Sequence, residues 1–178
     1  MTKFLFREID PENYEEAYAF NMLHEYSFRD SSSTYKPDSE EERTRKTQNI
    51  VDRLRKRDLR YYCLAVFEET SSEMVAAIFC DRYEIDKQLA CHIHGIWVHP
   101  THRKQGLAKR LKLDVEEWAK KTGCRLMDTN VRVSNQNMIA LNEKLGYEVA
   151  RLNFRKKLLF LASPNVPNVE PISTLRKP

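Results

Sequence analysis

Apolar residues along the chain recur at two different spacings, and the points where the spacing changes mark its elements. Phe4 to Ile9 alternates and predicts a first strand. From Pro11-Glu12 to about Tyr26, the residues Tyr14, Ala17, Tyr18 and Met22 recur at helical spacing. Arg29 to Pro37 is polar and serine-rich and reads as a loop. A second helix is predicted over Ser39 to Arg57. Glu40, Glu41 and Glu42 open it and Arg55, Lys56 and Arg57 close it, as the helix dipole prefers. Tyr61–Glu69, Met74–Glu84 and Leu89–Val98 predict three strands, the first two joined by a turn at Thr70-Ser71-Ser72-Glu73.

After Pro100 the period becomes helical. Leu107, Ala108, Leu111, Val115, Trp118 and Ala119 share one face, and Gly123 ends the helix. Arg125 to Val131 is extended again. Asn135 to Leu145 predicts a short helix stopped by Gly146, and Tyr147 to Leu161 the closing strands. Ser163 to Pro178 carries four of the seven prolines and no apolar period, so it reads as a surface tail. The expected fold is α/β in the mixed, α+β sense: one domain over 1–162 with a tail at 163–178. Its six- to seven-stranded sheet is flanked by about four helices. The first half is mostly antiparallel, and a parallel crossover joins the strand at 89–98 to that at 125–131.

The composition, 41% hydrophobic and 31% charged over 178 residues, is that of a globular chain. No apolar run reaches the roughly 20 residues that span a bilayer, so no membrane association is expected. Met1 to Glu8 lacks the apolar stretch of a secretory signal, which places the expected location in the cytoplasm. Cys63, Cys80, Cys91 and Cys124 are scattered without a CxxC pair. They read as buried, reduced thiols with neither disulfide nor metal spacing.

Thirty basic side chains against 26 acidic ones give a net charge of +4. Arg103, Lys104, Lys109, Arg110 and Lys112 cluster around one turn, and Arg151 to Lys157 form a second patch. A clustered basic turn suits a small polyphosphate better than a nucleic-acid track, and zinc-finger or RNP-type patterns are absent.

The basic turn follows a strand ending in Val98-His99-Pro100 and runs through Arg103-Lys104-Gln105-Gly106-Leu107-Ala108 into a helix. Gly106 lets the backbone approach a ligand, the first-turn N–H groups are free, and the helix dipole favours an anion. A pyrophosphate fits. The plainer alternative is an ordinary strand-to-helix turn with solvated basic residues. Neither GxGxxG nor GxxxxGK[ST] occurs.

This fragment resembles the acetyl-CoA signature of the GNAT superfamily, Gln/Arg-x-x-Gly-x-Gly/Ala. The segment Asn135 to Leu145-Gly146-Tyr147 looks like the second GNAT landmark, an Asn opening a helix that ends in Gly-Phe/Tyr. The likeness covers about residues 61–160. It implies acetyl-CoA as co-substrate and a central sheet that splays open. The backbone of Gln105, Gly106, Leu107, Ala108 and Lys109 would hold the pyrophosphate, with Arg103 and Lys104 as charged support. Ile96, Trp97 and Val98 would flank the pantetheine arm, with the Val98 N–H on the thioester carbonyl. Asn135 and Asn142 would lie beside the cofactor.

Two positions depart from the family pattern. Where many members carry an acidic Tyr seven residues after the motif Asn, this chain has Asn142, which can bond to sulfur but cannot give up a proton. Tyr147, water or an unassisted thiolate would replace it. Where some members place a Glu base, this chain has His92, and His92-Ile93-His94 resembles the His-x-His strand of serotonin N-acetyltransferases. Strand alternation puts His92 and His94 on one face, where either could take a proton from an ammonium substrate. Packing under a helix is the alternative role. His24, His99 and His102 read as surface or turn residues, and Trp97 as core.

The function expected is transfer of acetyl from acetyl-CoA to a primary amine of a small molecule by direct attack. Cys91 points away from His92 and His94 and is not the nucleophile. Gly146 to Leu158 weakly resembles aminoglycoside 6′-N-acetyltransferases. Acetylation of proteins or peptides, and a non-catalytic acetyl-CoA-binding regulator, are the alternatives. A homodimer is compatible with each.

Overall fold

The central strands carry apolar side chains on both faces, and this forces helices onto both sides of one sheet. The computed structural model describes residues 2–31, 35–56 and 59–154. Strands β1 (Phe4–Glu8), β2 (Tyr61–Glu68), β3 (Met74–Ile85), β4 (Gln88–Val98) and β5 (Leu126–Thr129) lie side by side in that order. The first four are antiparallel to their neighbours and β5 is parallel to β4. Helices α1 (Tyr14–Ser31) and α2 (Glu40–Arg55) precede β2, α3 (Leu107–Lys121) makes the crossover, and α4 (Gln136–Lys144) follows β5.

One face of β2–β4 buries Cys63, Ala65, Phe67, Ala77 and Trp97 against Ala17, Phe20 and Leu23 of α1 and Val51 of α2. The opposite face buries Leu64, Val66, Ile78, Cys91 and Ile93 under Leu107, Leu111, Val115 and Ala119 of α3. All four cysteines are free and buried. Helix ends follow their sequences. Ser39 caps α2 by accepting from the Glu42 N–H at 3.2 Å, and Asn135 caps α4 by accepting from the Met138 N–H at 3.2 Å.

Expectation and structure differ at four points. Among the described residues the sheet has five strands, where six to seven were expected. The expected closing segment from Tyr147 is neither helix nor strand as far as residue 154. The remainder of it, the second basic patch beyond Phe154 and the tail from residue 163 lie outside the described residues. Chain contacts separate a unit over Met1–Tyr147 from one over Glu148–Pro178, and the site described below lies wholly in the first.

Helix α1 also runs to Ser31, past the loop expected from Arg29. Its last turn is held by Asp30, whose carboxylate accepts from Trp97 Nε1 at 2.9 Å and from the Arg103 guanidinium at 3.0 Å. Tertiary bonds of this kind override a polar local composition. Finally, Lys112 is no part of a solvated basic turn. It is 1% exposed.

Candidate active site

The pairing of β4 with β5 ends at Ile93 opposite Thr129, although β4 continues for five residues to Val98. Beyond Ile93 the sheet therefore opens. A bulge sets the direction of the free backbone: Phe79 pairs with Gly95 and Cys80 with Ile93, so His94 is the inserted residue. The His99 N–H donates to the Val75 carbonyl at 2.8 Å, which makes Val75–His99 a hydrogen-bonded pair. Antiparallel alternation then turns the N–H and C=O of Ile96 and Val98 away from β3, toward the opening. The Val98 carbonyl is met there by Arg103 Nε at 3.0 Å.

The opening is closed at one end by the basic turn. Gly106 caps α3 with φ +82° and no side-chain cap, leaving the first-turn N–H groups of Leu107, Ala108 and Lys109 without helical acceptors. A Cβ on Gly106 would meet nothing within 4 Å, so the approach is clear, but that φ lies in the left-handed region. Lys104 also has a positive φ, +64°, in an exposed turn that turns the backbone sharply before the helix. These residues can cradle a diphosphate. Arg103 has other work: its guanidinium ties Val98 to Asp30. Burial would raise the Asp30 pKa, but bonds from Trp97, Arg29 and Arg103 hold it below the ordinary value.

On the α1–α2 face of β4, the rings of His92 and His94 stand 4.7 Å apart, edge to face. Each has its own carboxylate. His92 Nδ1 lies 2.8 Å from Asp128 Oδ2, which also accepts from the Tyr83 hydroxyl at 2.8 Å. His94 Nε2 lies 2.9 Å from Asp81 Oδ1, and its ring stacks on Phe79 at 5.1 Å. Burial pushes the Asp128 pKa up, and the bonds from Tyr83 and His92 more than reverse this, so it is held low. An ionised Asp128 fixes the hydrogen of His92 on Nδ1 and leaves Nε2 as the basic nitrogen.

Asn135 spends its side-chain oxygen on capping α4, and Asn142 of that helix is buried with Oδ1 unpartnered. The Tyr147 hydroxyl and Lys112 Nζ are likewise buried without a hydrogen-bond partner among the described residues, and the ammonium lies 4.6 Å from the Tyr147 ring centre. Burial pushes the Tyr147 pKa up, which opposes loss of its proton. Cys91, on the α3 face, is separated from both histidines by the sheet. His24 is not a surface residue. Its Nε2 is sealed, and burial, then the charges of His94 and Lys46, lower its pKa to about 4.

Sequence reasoning missed Asp81, Tyr83 and Asp30. The first two interrupt an apolar strand, and Asp81 pairs in register with His92, so a β3–β4 hairpin alignment would have found them.

The sequence of the Acetyltransferase (GNAT) family is matched over residues 19–147, and the chain belongs to that family. It is 35% identical over 68 residues to the type 1 aminoglycoside N(6′)-acetyltransferase of Serratia marcescens, covering 38% of this chain and 47% of that protein. It is 29% identical over 108 residues to the L-methionine sulfoximine/L-methionine sulfone acetyltransferase of Salmonella typhimurium, covering 61% and 63%. The chain thus spans about half the length of the first of these relatives and somewhat more of the second.

Among solved structures, the aminoglycoside acetyltransferase AAC(6′)-Iy in complex with a CoA-containing bisubstrate analogue superposes with a TM-score of 0.67 at 17% identity. That match covers 88% of this chain and 99% of the other. Glucosamine-6-phosphate N-acetyltransferase from Arabidopsis thaliana gives 0.64 at 16%, covering 87% and 98%. At these identities the likeness establishes the fold.

Proposed function

We propose that this protein is an acetyl-CoA-dependent N-acetyltransferase that acetylates a primary amine of a small molecule by direct attack. One observation carries the reading. The free backbone edge of Ile96 and Val98 begins at the bulge beside His92 and His94 and leads toward the bare N-terminus of α3. Acetyl-CoA supplies an activated acetyl thioester when bound there. Leu107 to Lys109 would hold its diphosphate through backbone N–H groups, helped by Lys104 and Lys109. The edge of β4 would pair with the amide-bearing arm as an added strand does.

His92 takes the proton of the incoming ammonium on Nε2, and Asp128 stabilises the resulting imidazolium. His94, braced by Asp81, provides a second acceptor 4.7 Å away for a proton passed through water. The Val98 N–H, directed into the opening, stabilises negative charge that develops on the carbonyl oxygen. Asn142 lies on the α4 face and offers a hydrogen bond to the departing sulfur, which leaves as a thiolate of modest basicity. Incubation with acetyl-CoA and a panel of amines, reading released thiol, tests the proposal. No amine-dependent release from a folded protein that binds acetyl-CoA would overturn it.

A further inference from the structure

A cavity of about 500 Å³ opens between α1, α2 and β3, and its charge bears on the acceptor. Phe20, Phe28, Tyr35 and Phe79 supply aromatic wall. Phe79 is also the ring on which His94 stacks, so the cavity adjoins the histidine pair.

Both acidic residues that line it are already neutralised. Glu25 accepts from Arg43 at 3.0 and 3.3 Å, from the Asp38 N–H at 3.1 Å and from the Tyr35 hydroxyl. Asp38 pairs with Lys46 at 2.7 Å. Arg53 and Lys36, also lining the cavity, have no ion pair among the described residues; the Arg53 guanidinium rests on the Tyr61 ring at 4.4 Å. His24 adds no charge near neutral pH. The cavity is therefore aromatic and cationic at its rim.

We infer that the acceptor is a primary amine with an apolar body and an anionic group, carboxylate or phosphate, at its far end. This rests on the reading of the chain as an N-acetyltransferase. Among the described residues a polycation would meet two uncompensated cations and no free carboxylate, whereas an anion finds a planar guanidinium suited to bidentate binding. The geometry also caps the spacing. Arg53, Tyr61, Phe79 and His94 follow one another at 4.4, 6.4 and 5.1 Å, which bounds the guanidinium-to-imidazole distance at about 16 Å. An amine near His92 and His94 and an anion on Arg53 are therefore within reach of one molecule.

The test compares 4-(2-aminoethyl)benzoate with 4-(2-aminoethyl)benzamide, which share the amine and ring and differ in the charge. Tyramine phosphate serves as the phosphate arm and kanamycin and spermidine as polycations. The benzoate is expected to exceed the amide in kcat/KM by at least about tenfold, as expected of a charge-assisted bond at a partly open site. Whichever of benzoate and phosphate is preferred names the anion. In Arg53→Gln, checked for an unchanged melting temperature, the acid-to-amide ratio should collapse toward one. Lys36→Gln should reduce it less.

Equal rates for acid and amide, a polycation that outranks both, or a ratio that survives Arg53→Gln would overturn the inference. Binding of amine-free 4-ethylbenzoate, lost in Arg53→Gln, is read by calorimetry without turnover. If it binds but no amine is acetylated, the catalytic reading fails and the anion site stands. If amines are acetylated and 4-ethylbenzoate does not bind, the anion site fails alone.

Discussion

Replacing Lys112 by Met should stabilise this protein. The side chain is 1% exposed, its Nζ has no hydrogen-bond partner among the described residues, and burial lowers its pKa to about 8 from an ordinary 10.5. At about 1.4 kcal/mol per pH unit, that gap costs the folded state roughly 3 kcal/mol at neutral pH. The ammonium over the Tyr147 ring returns about 1 kcal/mol of this, so the net gain from Lys112→Met is about 2 kcal/mol. Met has a similar length and fills the space with little strain.

The sign with pH follows from proton counting. Between about 8 and 10.5 the unfolded chain holds the Lys112 proton and the folded one does not, so wild-type stability rises across that window. The variant lacks this rise. In melts at pH 7, Lys112→Met should gain about 4–8 °C, and the gain should shrink by more than half at pH 10. A variant less stable than wild type at pH 7 would show that the ammonium has a partner the structure does not contain, and the reasoning would fall.

Saturating acetyl-CoA, at about 100-fold above Kd, should add about 2.7 kcal/mol of stability. Gly106→Asp should abolish the shift in melting temperature, because it sets negative charge and a disfavoured φ where the diphosphate must lie; a retained shift would move the cofactor elsewhere. His92→Ala should lower kcat/KM at least about tenfold with acetyl-CoA affinity unchanged, and the deficit should narrow as pH rises and the amine deprotonates unaided. If single and double variants of His92 and His94 keep full activity at neutral pH, the pair is packing. At Glu25 burial works to raise the pKa, but bonds from Arg43, Tyr35 and the Asp38 N–H hold it at about 2. Its contribution is present above about 4.5 and is lost as pH falls toward about 2, so Glu25→Gln should melt lower at pH 7 and match wild type near pH 2. An unchanged acid limb in the variant would assign the acid sensitivity to other groups.

The elements up to Gly146 were legible because each has a strong local signal. Alternation over Leu89–Val98 and the helical stripe from Leu107 to Ala119 leave little choice of period. The end of α1 was not legible, since Asp30 is helical on account of Trp97 and Arg103, distant in sequence and visible only once folded. The phosphate turn could be read because glycine, basic residues and a helix start are adjacent in the chain. The carboxylates behind the histidines could be read only with the strand registers in hand. Asp81 and Asp128 reach them across strand pairs, and the bulge at His94 that aims the backbone of Ile96 and Val98 leaves no mark in composition. Lys112 shows the opposite failure. Counted among basic neighbours it looked solvated, but on α3 it falls on the inward side with Leu111 and Val115.

The central claim is direct transfer of acetyl from acetyl-CoA to an amine, and mass spectrometry of a complete reaction tests it most directly. With acetyl-CoA and an accepted amine such as 4-(2-aminoethyl)benzoate, free CoA and N-acetylated amine should appear in equal amounts. The protein itself should keep its unmodified mass at early times. CoA released without acetylated amine, or an acetylated protein formed first and consumed by added amine, would contradict it.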